Sequence, residues 1–200
     1  MDCVARYRGR NLELTVAVDP ILKAEFEFEN SEVTIVSTRD LPEVELGGVK
    51  VGPLEEGKEY KVMFWIAKEL VKAGLAQIRE EGLLDSMKLY KIHWTERVQP
   101  TKQVSPLPQH FYPMLRWYLN NLKGEMTKNP EKVSEYEKVK KLSQDILSCR
   151  LRKVVVLASS TGVPARVIQN LTGEEKWLYQ ELHRIIEEWR NRILSLEVRE

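Results

Sequence analysis

Cysteine is nearly missing from this chain: Cys3 and Cys149 are the only two in 200 residues, far apart and without the spacing of a metal site. That excludes a disulfide framework and a thiolate zinc centre. No run of about 18 apolar residues occurs, so no segment has the length and apolarity to span a bilayer as a helix. The opening Met1-Asp2-Cys3-Val4-Ala5-Arg6 lacks the apolar core of a secretory signal. The expectation is a soluble, cytoplasmic chain with no membrane contact. Histidine is scarce as well. His93, His110 and His183 are widely separated, and none has a ligand partner at helical spacing. A glycine-rich phosphate loop, a nucleophile elbow and a zinc signature are all absent. Glu80-Glu81 and Glu187-Glu188 are neighbours in sequence, and neighbours on a helix point in different directions, so neither pair makes an acid/base dyad. The reading is of a protein with no catalytic residues, no cofactor and no metal.

A large excess of either charge is also lacking. The formal net charge is +1, which argues against a globally basic nucleic-acid binder. The distribution is uneven, however. Residues 1–55 carry six Lys/Arg against eleven Asp/Glu, a balance of −5 that leaves +6 for the remainder. An acidic segment beside a mildly basic one suits protein contacts better than phosphate contacts. Apolar content of 42% supports a real core, and 30% charged residues point to well-solvated helix faces with i,i+4 pairs.

What is present is clearest between Val44 and Leu75. Val44-Glu45-Leu46 and Val49-Lys50-Val51 alternate about Gly47-Gly48, the signature of a β-hairpin whose turn needs positive φ. Gly52-Pro53 follows, and the periodicity then changes. Tyr60, Met63, Phe64, Ala67, Leu70 and Val71 fall three and four apart, which predicts an amphipathic helix ending at Gly74. Upstream, Leu12–Val18 alternates as a strand or short helix. Ala24–Phe28 alternates as a strand, and Val33–Val36 is β-branched or β-favouring. Downstream, helical faces run from Leu83 through Met87, Tyr90 and Trp94 to Val98, and from Phe111 through Leu122 to Gly124. A long helix is predicted from Glu131 to about Ala158. Thr172-Gly173-Glu174-Glu175 is a capping box opening a last helix to Leu196, roughly 36 Å long. The fold class is α+β: a small β-rich module over residues 1–55, then a larger helical domain of about five helices over residues 56–200.

That last helix repeats Trp177, Leu178, Leu182, Ile185, Ile186, Trp189 and Ile193 at three and four. Two tryptophans on one stripe carry a large burial area, either in the chain's own core or against a helix of another chain. A basic cluster lies on the preceding long helix: Lys138, Lys140, Lys141, Arg150, Arg152 and Lys153. It reads as a solvated face, as ion pairs across a subunit interface, or as weak phosphate contact. Ala158-Ser159-Ser160-Thr161-Gly162-Val163 has helix-turn-helix spacing, which makes DNA binding by Arg166, Gln169 and Asn170 the alternative function.

The order of parts resembles the GINS replication complex, in particular the archaeal subunit in which the β module precedes the α domain, related to the eukaryotic Psf two and Psf three subunits. Phe64-Trp65-Ile66-Ala67-Lys68-Glu69-Leu70 is similar to that family's apolar-Trp-x-Ala-x-x-Leu signature, with Gly74-Leu75 after it. Leu107-Pro108 with Phe111-Tyr112, the run Asp145, Arg150, Lys153, and Thr172 with Glu175 resemble three further motifs. Many relatives have Pro-Leu where this chain has Met63-Phe64. The resemblance implies a non-catalytic adaptor in a tetramer of two such subunits with two of a permuted, α-then-β type. It implies contacts with the MCM helicase and a RecJ-like protein, with primase or a DNA polymerase as further partners, and DNA contact that is weak or indirect. Trp177, Leu178, Leu182, Ile185 and Trp189, with Arg150 and Lys153, are then the expected subunit interface, and the acidic module is expected to move on a proline-bounded hinge.

Overall fold

The computed structural model describes residues 19–79, 82–126 and 129–195; the Leu12–Val18 segment and Cys3 lie outside them. The first element is a helix, α1 (Pro20–Glu29), where alternation had suggested a strand at Ala24–Phe28. Local chemistry explains the difference. The Asp19 carboxylate accepts from the Ile21 N–H, and Pro20 stands in the first turn, where its missing N–H costs nothing. The alternating Phe-Glu run conceals two i,i+4 pairs. Ala24 and Phe28 face inward, while Glu25 and Glu29 pair with Arg116 and Lys68. Phe26 is left exposed.

β1 (Glu32–Ser37) is the centre of a three-stranded antiparallel sheet, flanked by β4 (Glu59–Met63) and β5 (Ala76–Ile78). Val33 pairs with Val62 and Ile35 with Tyr60, so Tyr60 and Met63 belong to a strand and not to the helix read from their spacing. The helix, α2 (Phe64–Lys72), starts directly afterwards. Two of the strands therefore lie beyond residue 55, because the chain returns to pair with β1 after the hairpin. That hairpin, β2 (Val44–Leu46) and β3 (Val49–Val51), has the expected register, with Gly47 and Gly48 both at positive φ. Gly47 has a second reason to lack a side chain: a Cβ there would come within 3.1 Å of the Trp65 ring. Gly74 closes α2 as a Schellman cap, with Leu75 N–H donating to Leu70 and Gly74 N–H to Val71.

Among the described residues five α-helices follow: α3 (Ser86–Val98), α4 (Phe111–Met126), α5 (Lys132–Ser159), the short α6 (Ala165–Gln169) and α7 (Gly173–Leu194). Gly124 lies inside α4 and does not end it. α5 is the spine, packing against α3, α4 and α7. The sheet side has its own core of Ile35, Val51, Leu54, Ile66, Ala67, Leu70 and Ala76. The two parts are nevertheless joined. Phe28 and Phe64 sit in the helical core beside Leu89, Phe111, Leu115, Val139 and Ile146, their ring centroids 4.2 Å apart. Trp117 of α4 meets Phe64 edge-on at 5.4 Å. Aromatic packing thus joins the acidic module to the helical core.

Candidate subunit interface

The buried face of α5 runs Val139, Ser143, Ile146, Arg150, Lys153, Val154 and Leu157, at helical spacing. Two cations therefore stand on an apolar stripe, and each must find an acid. Glu96 occupies the matching place on α3, seven residues after the fully buried Leu89. Its two carboxylate oxygens divide between them: Arg150 Nη1 donates to Oε1 at 3.0 Å and Lys153 Nζ to Oε2 at 2.8 Å. The other side of Arg150 forms a two-point contact with Glu175 of α7, at 2.8 and 2.6 Å. Arg150 also donates to the Ser105 carbonyl at 2.7 Å, and the Tyr112 hydroxyl donates to Glu175 at 2.6 Å. Two acids and two bases balance one another, and one guanidinium ties α3, α5, α7 and the segment before α4 together.

Glu175 also stands at the third helical position, where it closes the capping box with Thr172. Thr172 N–H donates to its carboxylate at 3.0 Å, and its own N–H donates to the Thr172 hydroxyl at 3.3 Å. Burial pushes the Glu175 carboxyl up. The Arg150 hydrogen bonds and charge, with help from Tyr112 and Thr172, outweigh it and hold the group below the usual carboxylate value. Burial and the neighbouring Glu175 charge push the Tyr112 hydroxyl up. For Arg150, burial acts downward, but Glu175 and Glu96 more than compensate, so it stays protonated.

Arg150 and Lys153, expected at a subunit interface, have their charges matched by acids of this chain. They are 1% and 3% exposed and are used up within the chain, because their helical positions fall on the inner stripe. The α7 residues divide differently. Leu178 and Leu182 are half-buried against Val154, Leu157 and Leu171. Trp177, Ile185, Trp189 and Ile193 face solvent at 45, 53, 62 and 62% exposure. The charged residues beside them are largely matched within the helix, as in Arg190–Glu187, Arg192–Glu188 and Arg184–Glu181. Leu147, Leu151 and Val155 continue the exposed apolar surface on α5. Between α1, α4, α5 and α7 lies a groove of about 380 Å³. A second apolar stripe, Met87, Tyr90, Trp94 and Val98, runs along the outer side of α3, each residue more than half exposed. These four were legible as a helical stripe, yet it is the opposite face that packs.

The helix-turn-helix reading finds no support. α6 spans only five residues, and Val167 and Ile168 pack inward beside Leu171. Arg166 and Gln169 are exposed, but the Asn170 side chain donates to the Val104 carbonyl at 2.8 Å, holding two connecting segments together. No recognition helix projects. The histidines are scattered as the sequence implied: His183 Nδ1 lies 3.0 Å from the Ala158 carbonyl, and His93 lies 3.8 Å from Asp145. Among the described residues no group of three or more His, Cys, Asp or Glu side chains is placed to hold a metal ion. No helix among them is long and apolar enough to cross a membrane.

Sequence reasoning missed Glu96 and the exposed α5 leucines. Glu96 was discoverable as the lone acid at buried-face spacing on α3, matched against two bases at buried-face spacing on α5.

Comparison with known proteins accounts for most of the chain. The GINS complex protein helical bundle domain matches residues 84–194. The PSF2 N-terminal domain matches residues 21–79. The human DNA replication complex GINS protein PSF2 is 26% identical over 138 residues, covering 69% of this chain and 70% of the human protein.

Proposed function

The chain belongs to the GINS complex protein family, as a subunit related to PSF2, and from that premise we propose that it is a non-catalytic scaffold of the replication complex. It assembles with a second GINS subunit of the permuted type into a 2:2 heterotetramer. At the fork, in the cytoplasm, the assembly links the MCM helicase to a RecJ-like protein and supports unwinding. Primase or a DNA polymerase is a further contact, and DNA is touched weakly or indirectly.

The observation that carries this reading is the outer face of α7. Trp177, Ile185, Trp189 and Ile193 lie in solvent along one helix, while the charges of the neighbouring core are already matched. An exposed apolar stripe of this kind marks a protein contact, and tryptophan is prominent among residues that dominate such contacts. Leu178 and Leu182 support the interface from beneath. The charged pairs that flank the stripe remain solvated and favour one orientation of the partner.

Light scattering on the chain alone, and after co-expression with a permuted GINS subunit, tests the proposal. A four-chain species formed only with the partner is the expected result. A monomer or homodimer indifferent to the partner overturns it.

A further inference from the structure

The groove beside the α7 stripe has walls that suggest what enters it. Leu147 and Leu151 of α5 stand one turn apart, each about half exposed, and Ile21 of α1 and Trp177 of α7 form other parts of the lining. A volume of about 380 Å³ is near the low end for ligand sites, roughly 300–1,000 Å³. It suits one or two large side chains and not a whole helix.

The charges around the groove are matched with one exception. Arg150 is engaged by Glu96 and Glu175, and Arg116 by Glu25. Glu174, which also lines the groove, has a carboxylate oxygen shielded from solvent that has no hydrogen-bond partner among the described residues. Glu174 as a whole is half-buried and forms no ion pair among the described residues, so a cation brought in by a partner meets an unmatched acid at the groove. The uncompensated charge is negative, and the complementary group is a cation.

We propose that this groove is a socket for one bulky apolar side chain of the partner GINS subunit, carried on a helix whose adjacent Lys or Arg pairs with Glu174. The inference rests on the subunit reading above and adds the chemistry of the docking residues. Trp177 belongs both to the socket wall and to the exposed α7 stripe, so the two surfaces share that residue.

The test is a titration of purified permuted-type GINS subunit onto the intact chain, with Kd measured across a range of NaCl concentrations. Leu151→Glu and Leu147→Glu, both at partly open positions, are expected to keep the wild-type melting temperature and to weaken binding at least tenfold. Glu174→Gln is expected to weaken it severalfold and to flatten its salt dependence. Binding within twofold of wild type for both leucine variants, with Trp189→Ala still impaired, overturns the socket and leaves the subunit reading intact. Wild-type chain that fails to bind the partner at all removes both. Self-association of the wild type that Leu151→Glu abolishes assigns the groove to a second copy of this chain and also overturns the proposal.

Discussion

Arg150 and Glu175, 25 residues apart, meet through two hydrogen bonds of 2.8 and 2.6 Å while the same guanidinium reaches Glu96 and a backbone carbonyl. The pair joins the middle of the longest helix to the cap of the last one. Removing one member of a buried pair strands the other, which costs about 3–5 kcal/mol. Arg150→Ala is therefore expected to lower the melting temperature by roughly 6–20 °C, on the scale of about 2–4 °C per kcal/mol for a chain of this size. Differential scanning calorimetry decides it, and a shift under roughly 2 °C contradicts the assigned role.

Acid should expose the same linkage. Glu175 is held below the ordinary carboxylate value of 4.5 when folded. Its contribution is complete above that ordinary value and is lost as pH falls through the depressed folded value, because the unfolded chain binds the proton first. Urea denaturation of wild type should show stability falling below about pH 4.5. Glu175→Gln, less stable at pH 7, should lose less than wild type between pH 5 and pH 3. Parallel pH profiles for the two proteins would remove Glu175 from the acid response.

Trp189→Ala separates assembly from folding. The side chain is mostly exposed, so urea unfolding of the isolated chain should move by no more than about 0.5 kcal/mol. Affinity for the partner subunit should fall by about 2 kcal/mol, roughly thirtyfold. Lys138→Ala should leave both nearly unchanged. Similar, negligible losses of partner binding in the two variants would contradict the α7 interface.

The hairpin offers a paired control. Gly47 and Gly48 share positive φ, but only Gly47 approaches the Trp65 ring. Asparagine tolerates positive φ better than most residues. Gly48→Asn should therefore cost well under 1 kcal/mol, and Gly47→Asn about 1–2 kcal/mol, with a change in Trp65 fluorescence. Equal costs would mean that φ alone governs the turn.

Asn170→Ala distinguishes structure from DNA reading. Loss of the hydrogen bond to Val104 should lower stability by about 1 kcal/mol. Filter binding to duplex DNA at physiological salt should give the same weak result for both proteins. Sequence-selective binding lost in this variant would revive the discarded reading.

Local signals made most of the helical domain readable. The capping box at Thr172 and the apolar spacing along α5 and α7 each act within a few residues, so pattern alone located them. Signals that depend on distant partners were harder. Ala24–Phe28 alternates like a strand and becomes helical through its Asp19-Pro20 start and its packing under α2 and α4. Tyr60 and Met63 fit a helix by spacing but are drawn into a sheet by β1, a choice no local window contains. For the site, the exposed tryptophans could be named but not placed, since the same stripe fits a core or an interface. Arg150 and Lys153 share a basic cluster with Lys138, Lys140, Lys141 and Arg152, which are solvated, and only Glu96 and Glu175, brought in by tertiary packing, distinguish the inner cations from the outer ones.

Phe28 and Phe64, in ring contact inside the helical core, bear on how the chain comes apart. The family comparisons divide it near residue 80, yet heat should meet a single cooperative unit. Pulling α1 and α2 away with the sheet would open two ring-sized voids among Leu89, Phe111 and Val139, so neither part gains by melting first. One calorimetric transition, with its van't Hoff and measured enthalpies in agreement, is the signature of that shared seam.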